Sequence, residues 1–353
     1  MILTIIGARP QFIKTAVVSK ALLNAGLEEK IIHTGQHYDD KMSHIFWEEL
    51  NIPKPEINLN IGSANHGLQT AKMIEQIEKF ILGSEKKINA VLLYGDTNST
   101  LAGAIVAPKL HIPVIHVEAG LRSFNNKMPE EINRIITDKI SDMLFCSSEK
   151  SVSQLEKEGI TKNVFNVGDV MQDAFINFGK TAEAKFKLKT IIPFAKGEYN
   201  LLTLHRPSNT DDTEILQKII SAFEKINKPT ILPVHPRVKD KIKKITLPKT
   251  LNVISPLSYF EMITVLKNCN KVFTDSGGLQ KEAYWANKDC ITIRNETEWI
   301  ETLENNFNIL AGNDPDKIID AYYKKNNAER TNLYGDGKAS EKIAETIKKI
   351  YFS

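Results

Sequence analysis

Asp96 in "YGDTNST", and Glu118 and Glu130 in "HVEAGLRSFNNKMPEEINR", stand at or just beyond the ends of apolar, strand-like runs. Carboxylates gathered near one cleft can have their proton affinities pushed apart, which is what acid–base chemistry requires. Each also has a plainer role. Asp96-Thr97 suits a helix N-cap, and Pro129-Glu130-Glu131 complements a helix dipole. Glu118 has no helix to cap, which makes it the strongest of the three. Two histidines repeat the placement: His205 in "TLHRPSNTDD" and His235 in "LPVHPR" each leave a strand-like run. Neither has a cysteine or second histidine at ligand spacing, so proton transfer or phosphate binding is expected, and no metal.

A second group of residues suits an anion. "GARPQFIK" turns at Gly7 into a helix whose first turn carries Pro10, so free N–H groups point outward beside Arg9 and Lys14. In "FTDSGGLQKEA", Gly277 and Gly278 let backbone approach a phosphate, Ser276 can donate to it, and Glu282 one turn later can accept from ribose hydroxyls. The six-residue glycine motif of dinucleotide coenzymes is absent, which argues against a nicotinamide enzyme, and no cofactor is expected.

Positioning these groups falls to an α/β framework. "ILTIIG", "KIIHTG", "NAVLLYGD", "PVIHV", "MLFCS" and "VFNVG" alternate with helix-period segments, which predicts a doubly wound parallel sheet. The pattern restarts with "NLLTLH", "TILPVH", "NVISP", "KVFTDS" and "CITIR", so a second unit is expected after a boundary near residues 169 to 195. "GKASEKIAETIKKIYF" reads as a final amphipathic helix with Ile343, Ala344, Ile347 and Ile350 on one face. Ligands of such sheets bind beyond the carboxyl ends of the strands, where nearly all the polar motifs lie.

The 353 residues suit two domains, and 46 Lys and Arg against 43 Asp and Glu leave a net charge of only +3. Lysine clusters such as "KDKIKK" read as solvated helix faces, so neither nucleic acid nor a membrane is an expected partner. The N-terminal "MILTIIGARPQ" lacks a basic leader, and three widely spaced cysteines, Cys146, Cys269 and Cys290, fit a reducing compartment. A cytoplasmic protein is expected.

Taken in order, "GARPQFIK", "YGDT", "HVEAGLRS", "MPEEINR", "HR", "PVHPR" and "TDSGGLQKEA" resemble the non-hydrolysing UDP-N-acetylglucosamine 2-epimerases over essentially the whole chain. The resemblance implies two Rossmann-like domains of glycosyltransferase-B type with a cleft between them. They would span residues 1–170 and 171–336, with 337–353 packing back on the first domain. It further implies inversion at C2 of the sugar, interconverting UDP-N-acetylglucosamine and UDP-N-acetylmannosamine by elimination and re-addition of UDP through 2-acetamidoglucal. Asp96, Glu118 and Glu130 would then be the acid–base carboxylates, with His205 near the departing diphosphate or sharing proton transfer. Arg9, His235, Ser276, Gly277, Gly278 and Glu282 would cradle UDP, Lys14 and Arg134 would support the cleft, and the protein would be a homodimer.

Two departures refine that picture. "TGQHYDDKMS" keeps Gln36 and His37, but Tyr38 and Asp39 stand where arginine and glutamine are common in members activated by a second UDP-sugar, so activation by substrate is not expected. "NETEWIE" places Trp299 where many members have Arg-Pro, a form similar to epimerases of UDP-2,3-diacetamido-glucuronic acid, which is the alternative substrate. A hydrolysing enzyme would depart at "MPEEINR". A transferase of the same fold would need an acceptor signature, and a nucleotide-sugar sensor would lose the carboxylates.

Overall fold

Continuous apolar runs such as Ile2–Ile6 and Ala90–Tyr94 are buried along their whole length, which only a sheet covered on both faces allows. The structure is a computed structural model describing residues 1–36, 47, 50–326 and 328–352. Its described strands form two sheets, all of whose pairings are parallel. The first contains β1 (Ile2–Ile6), β2 (Glu29–His33), β3 (Ile57–Asn58), β4 (Ala90–Tyr94), β5 (Val114–Ala119), β6 (Met143–Cys146) and β7 (Val164–Asn166), in the order β3-β2-β1-β4-β5-β6-β7. The second contains β8 (Asn200–Thr203), β9 (Thr230–Pro233), β10 (Leu251–Ile254), β11 (Val272–Thr274), β12 (Cys290–Thr292) and β13 (Asn308–Leu310), in the order β10-β9-β8-β11-β12-β13. Both follow the Rossmann order, and two such units in one chain make up the glycosyltransferase-B type. The strand order reverses between β1 and β4 in one sheet and between β8 and β11 in the other. At those switch points successive helices leave on opposite faces, opening a crevice at the carboxyl ends.

The chain divides into Met1–Ala174 with Asn332–Ser353, and Phe175–Thr331. In the second unit the helix Thr213–Ile226 turns Leu216, Ile219, Ile220, Phe223 and Ile226 inward at helical spacing. Asp212 caps it, accepting from Glu214 N at 2.7 Å, and Asn227 ends it in the left-handed region at φ +50°. Phe223 meets Phe273 of β11 edge-on, with ring centroids 4.9 Å apart.

The last helix, Ala339–Tyr351, belongs to the first unit, where Ile343, Ala344 and Ile347 are buried and it packs on the helix Arg9–Asn24. Ile350, expected on the same face, is 43% exposed. The start of this helix is held by a carboxylate from a distant segment. Ala339 N, Ser340 N and Ser340 Oγ donate to Asp173 at 3.1, 2.7 and 2.6 Å. Burial raises the Asp173 carboxyl above its ordinary value, and the Ser340 hydrogen bonds only partly offset this. Replacing Asp173 with Ala orphans buried N–H groups and should weaken attachment of this helix by about 1–3 kcal/mol. Faster hydrogen exchange of the 339–351 amides would report it, and unchanged exchange would refute the tether.

Candidate functional site

At the first switch point the turn after β1 admits no side chain. A Cβ on Gly7 would lie 2.1 Å from Thr34 Oγ1 and 2.3 Å from Ser99 Oγ. Gln11, three residues into the following helix and buried, ties that turn to the end of β4. Its Oε1 accepts from Gly7 N and Ala8 N at 2.8 and 3.0 Å, while its Nε2 reaches Tyr94 O at 2.9 Å and Thr100 Oγ1 at 3.0 Å. Arg9 is exposed at the first helical position, where the dipole disfavours a cation and an anionic ligand would compensate it.

Asp96 follows β4, and its carboxylate forms an ion pair with Arg134, whose side chain is 7% exposed. Asn133 Nδ2 donates to the Asp96 carbonyl at 2.9 Å and to Asn98 Oδ1 at 3.1 Å. Glu118 lies at an irregularity of β5, where the register with β6 shifts between Val117 and Ala119, and its φ is +72°. A glutamate in the left-handed region costs roughly 1–2 kcal/mol, a cost concentrated at functional positions. Its carboxylate pairs with the Lys14 ammonium, the two side chains being 11% and 7% exposed. A Cβ on Gly95 would sit 3.3 Å from Glu118 Oε2 and 3.5 Å from Lys14 Nζ, so this pair lies directly over the residue preceding Asp96.

The helix Pro129–Ile140 separates two adjacent glutamates. Glu131, 1% exposed, accepts from Ser123 N, Ser123 Oγ and Phe124 N, each at 2.9 Å, and its Oε2 is 3.1 Å from Arg134 NH1. It therefore fixes the loop before the helix, beyond the dipole role the sequence suggested. Glu130 is half-buried, and its carboxylate has no hydrogen-bond or ion-pair partner among the described residues. Four residues before Arg134, it faces the same side of the helix.

At the second switch point the organising group is Asp275, which the sequence reading passed over within "TDSGG". It is fully buried and accepts from His205 N at 3.1 Å, Arg206 N at 3.0 Å and Asn209 Nδ2 at 3.1 Å, and it pairs with His205 Nδ1 at 3.1 Å. Burial pushes the Asp275 carboxyl up, but the His205 hydrogen bond and charge, with the Arg206 N–H and Asn209, hold it below the usual range. Because His205 Nδ1 faces this carboxylate, Nε2 is the nitrogen left to exchange a proton. His205 is 40% exposed, its ring centroid lies 5.6 Å from that of His235, and His235 Nδ1 accepts from Arg237 N at 3.2 Å.

Ser276 caps the helix Gly277–Trp285 through Leu279 N. A methyl group at Gly277 would meet only ordinary contacts, the nearest at 3.6 Å, and at Gly278 the nearest neighbour is 4.0 Å away, so packing within the chain does not demand glycine. Glu282 is buried one turn in. Lys281, 2% exposed, lies over the Trp299 ring at 3.8 Å and near the Trp285 ring at 5.7 Å. Arg294 grips Glu298 with two hydrogen bonds of 3.0 and 2.9 Å beside the same turn.

Asp96, Glu118, Lys14 and Arg134 thus meet at one switch point, and His205, His235, Ser276 and Gly277 surround the other. Of the "TGQHYDDKMS" motif, Gln36 accepts from Ser99 N and Oγ at 3.1 and 2.7 Å. His37, Tyr38 and Asp39 lie outside the described residues.

The family model for UDP-N-acetylglucosamine 2-epimerase matches residues 20–348. The chain belongs to that family, whose members are isomerases. It is 49% identical to a UDP-N-acetylglucosamine 2-epimerase homolog of Methanococcus maripaludis over 358 residues, covering 99% of each chain. It is 46% identical to the UDP-2,3-diacetamido-2,3-dideoxy-D-glucuronate 2-epimerase of Pseudomonas aeruginosa, again over 99% of each. The crystal structure of the Methanocaldococcus jannaschii UDP-GlcNAc 2-epimerase in complex with UDP-GlcNAc and UDP superposes with a TM-score of 0.88 at 42% identity, covering 99% of this chain and 100% of that one.

Asp275 sets a pH-dependent expectation. A carboxyl depressed in the folded state contributes stability that is complete above its unfolded value of about 3.9 and is lost as pH falls below that toward the folded value. Asp275→Asn should be less stable at neutral pH by roughly 1–3 kcal/mol, with the deficit shrinking below about pH 4. Urea unfolding across pH, followed through the Phe175–Thr331 unit, measures it. A deficit that grows on acidification would contradict the assignment.

Proposed function

We propose that the protein interconverts UDP-N-acetylglucosamine and UDP-N-acetylmannosamine. One carboxylate removes the C2 proton, the C1–O bond breaks with its electron pair leaving on UDP, and 2-acetamidoglucal remains. UDP then re-adds at C1 as an acid delivers a proton to the opposite face of C2. The observation that carries this reading is the Glu118 carboxylate, held over Gly95 in a left-handed backbone beside Asp96, each with its own cation, Lys14 and Arg134. Two faces of C2 need separate proton-handling groups, and these two carboxylates, each held by its own cation, supply them. Glu130 is the third carboxylate, open on the same helix face as Arg134.

The second unit binds UDP. His205, oriented by Asp275, stabilises the departing diphosphate or moves its proton, and His235 stands beside it. Ser276, Gly277 and Gly278 present the helix N-terminus to phosphate, and Glu282 accepts from ribose. Arg9, exposed at its own helix start in the first unit, offers positive charge to an anion there. The Trp299–Lys281 stack and the Pseudomonas relative support a second substrate, the UDP-2,3-diacetamido-uronate, as the first alternative to try.

The active form is a homodimer in the cytoplasm. The helix Pro129–Ile140 buries polar residues and turns Ile132, Ile135, Ile136 and Ile140 outward at 48, 38, 36 and 37% exposure, a stripe that a second copy would cover. Three buried cysteines without disulfides suit a reducing compartment.

In heavy water with UDP-N-acetylglucosamine alone, the protein should yield the manno product deuterated at C2, read by NMR. Glu118→Gln should lower that rate by about 10²–10⁴-fold. Absence of exchange with either sugar, or full activity of the variant, would sink the proposal. Introducing Glu at both 132 and 136 should convert a dimer into a monomer by light scattering, and a wild type that is already monomeric would remove the dimer.

A further inference from the structure

His116, two residues before Glu118, is completely buried and hydrogen-bonded at both ring nitrogens. Nδ1 lies 2.7 Å from Asp138 Oδ1, and Nε2 lies 2.8 Å from the Gly95 carbonyl. A carbonyl has no proton to give. The Asp138 carboxyl has none either: its Oδ2 already accepts from Arg122 NH1 at 2.6 Å and from Gly120 N at 3.1 Å, and the buried Arg122 guanidinium beside it requires the ionised form. Both ring nitrogens must therefore donate, which a neutral imidazole cannot do.

The cluster around the ring balances such a charge. Arg122 NH1 donates to Asp138 Oδ2 at 2.6 Å, and its Nε and NH2 grip Glu158 at 2.8 and 2.6 Å. With a protonated His116 the four groups carry two positive and two negative charges. A neutral ring would leave one negative charge in excess and one ring nitrogen lone pair against an acceptor.

The placement of the cluster ties it to the reaction. Gly95, which accepts from His116, directly precedes Asp96 and also donates its N–H to the Val117 carbonyl at 3.0 Å. Asp138 Oδ2 accepts from Gly120 N at 3.1 Å, and Gly120 sits at φ +79° where a Cβ would lie 2.3 Å from Ser151 O. Glu118 is therefore anchored two residues to either side, at His116 and at Gly120, by the same carboxylate. We infer that His116 and Asp138 are positioning residues: a doubly protonated imidazole clamped between Asp138 and the Gly95 carbonyl fixes the strand ends that carry Asp96 and Glu118. The inference deepens the proposed epimerase and rests on Asp96 and Glu118 handling the proton.

Asp138→Asn keeps the shape of the cluster and removes the charge that holds the second proton on the ring. It should lower kcat by about 100-fold, the cost of misplacing a reacting group, with KM changed by less than about threefold because UDP binding does not depend on it. In the full-length protein labelled with ¹⁵N-histidine, with the His116 signals assigned by their loss in His116→Gln, wild type should show both His116 nitrogens protonated and Asp138→Asn only one. His116→Gln, which keeps a donor for the Gly95 carbonyl, should retain more activity than His116→Ala. A wild-type His116 with one bare nitrogen overturns the inference, and so does a folded Asp138→Asn whose kcat stays within about twofold of wild type. If Asp138→Asn does not fold, the wild-type nitrogen shifts and the order of the two His116 variants decide. Failure of the epimerase reading is distinct: wild type would then show no C2 exchange, or Asp96→Asn and Glu118→Gln would stay active, whatever the nitrogen shifts report.

Discussion

A carboxylate buried at or beside the end of a parallel sheet must be matched by charge or donors, and both switch points are built around that constraint. Glu118 has Lys14, Asp96 has Arg134, Asp138 has Arg122 and His116, and Asp275 has His205 with two backbone N–H groups. Removing such a carboxylate's partner costs several kcal/mol, yet replacing the whole pair by packed apolar residues is often neutral or stabilising. Stability is therefore a weak reason for this density of buried charge. The acid–base roles proposed for Asp96 and Glu118 would be a sufficient one.

Five carboxylates, these four and Glu130, divide by surroundings. Asp138 and Asp275 are fully enclosed and saturated with donors, so they hold backbone and histidine rings in place. Asp96 and Glu118 keep part of their surface and share it with one cation each, and Glu130 is open. The supporting carboxylates and those proposed for proton transfer thus segregate by solvent access, and the same residue type serves both. Glu131 makes the point within a single turn: one position from Glu130, it is buried against the loop 123–124 and does structural work.

Much of the framework was legible in the chain. Strand and helix alternation is a local property of apolar spacing, and it gave two doubly wound units with the polar motifs at strand ends. The helix at 339–351 was equally legible, but its anchor was not: Asp173 lies more than 160 residues away, and nothing in "GKASEKIAETIKKIYF" points to it. Periodicity likewise assigned Ile350 to a face but not its exposure.

The sequence by itself determined which groups are available for chemistry: three carboxylates, two histidines, an arginine and lysine at a helix start, and a serine and two glycines at another. Residue type and spacing suffice for that, because each motif joins a strand end to the turn beyond it. Only the tertiary structure decided their partners and burial. Which glutamate of 130 and 131 is open depends on a loop folded back against Glu131, and what surrounds His116 and Asp275 depends on groups brought from segments 22 and 70 residues away. Burial and hydrogen-bond partnership set the behaviour of an ionisable group, and both are properties of the folded chain.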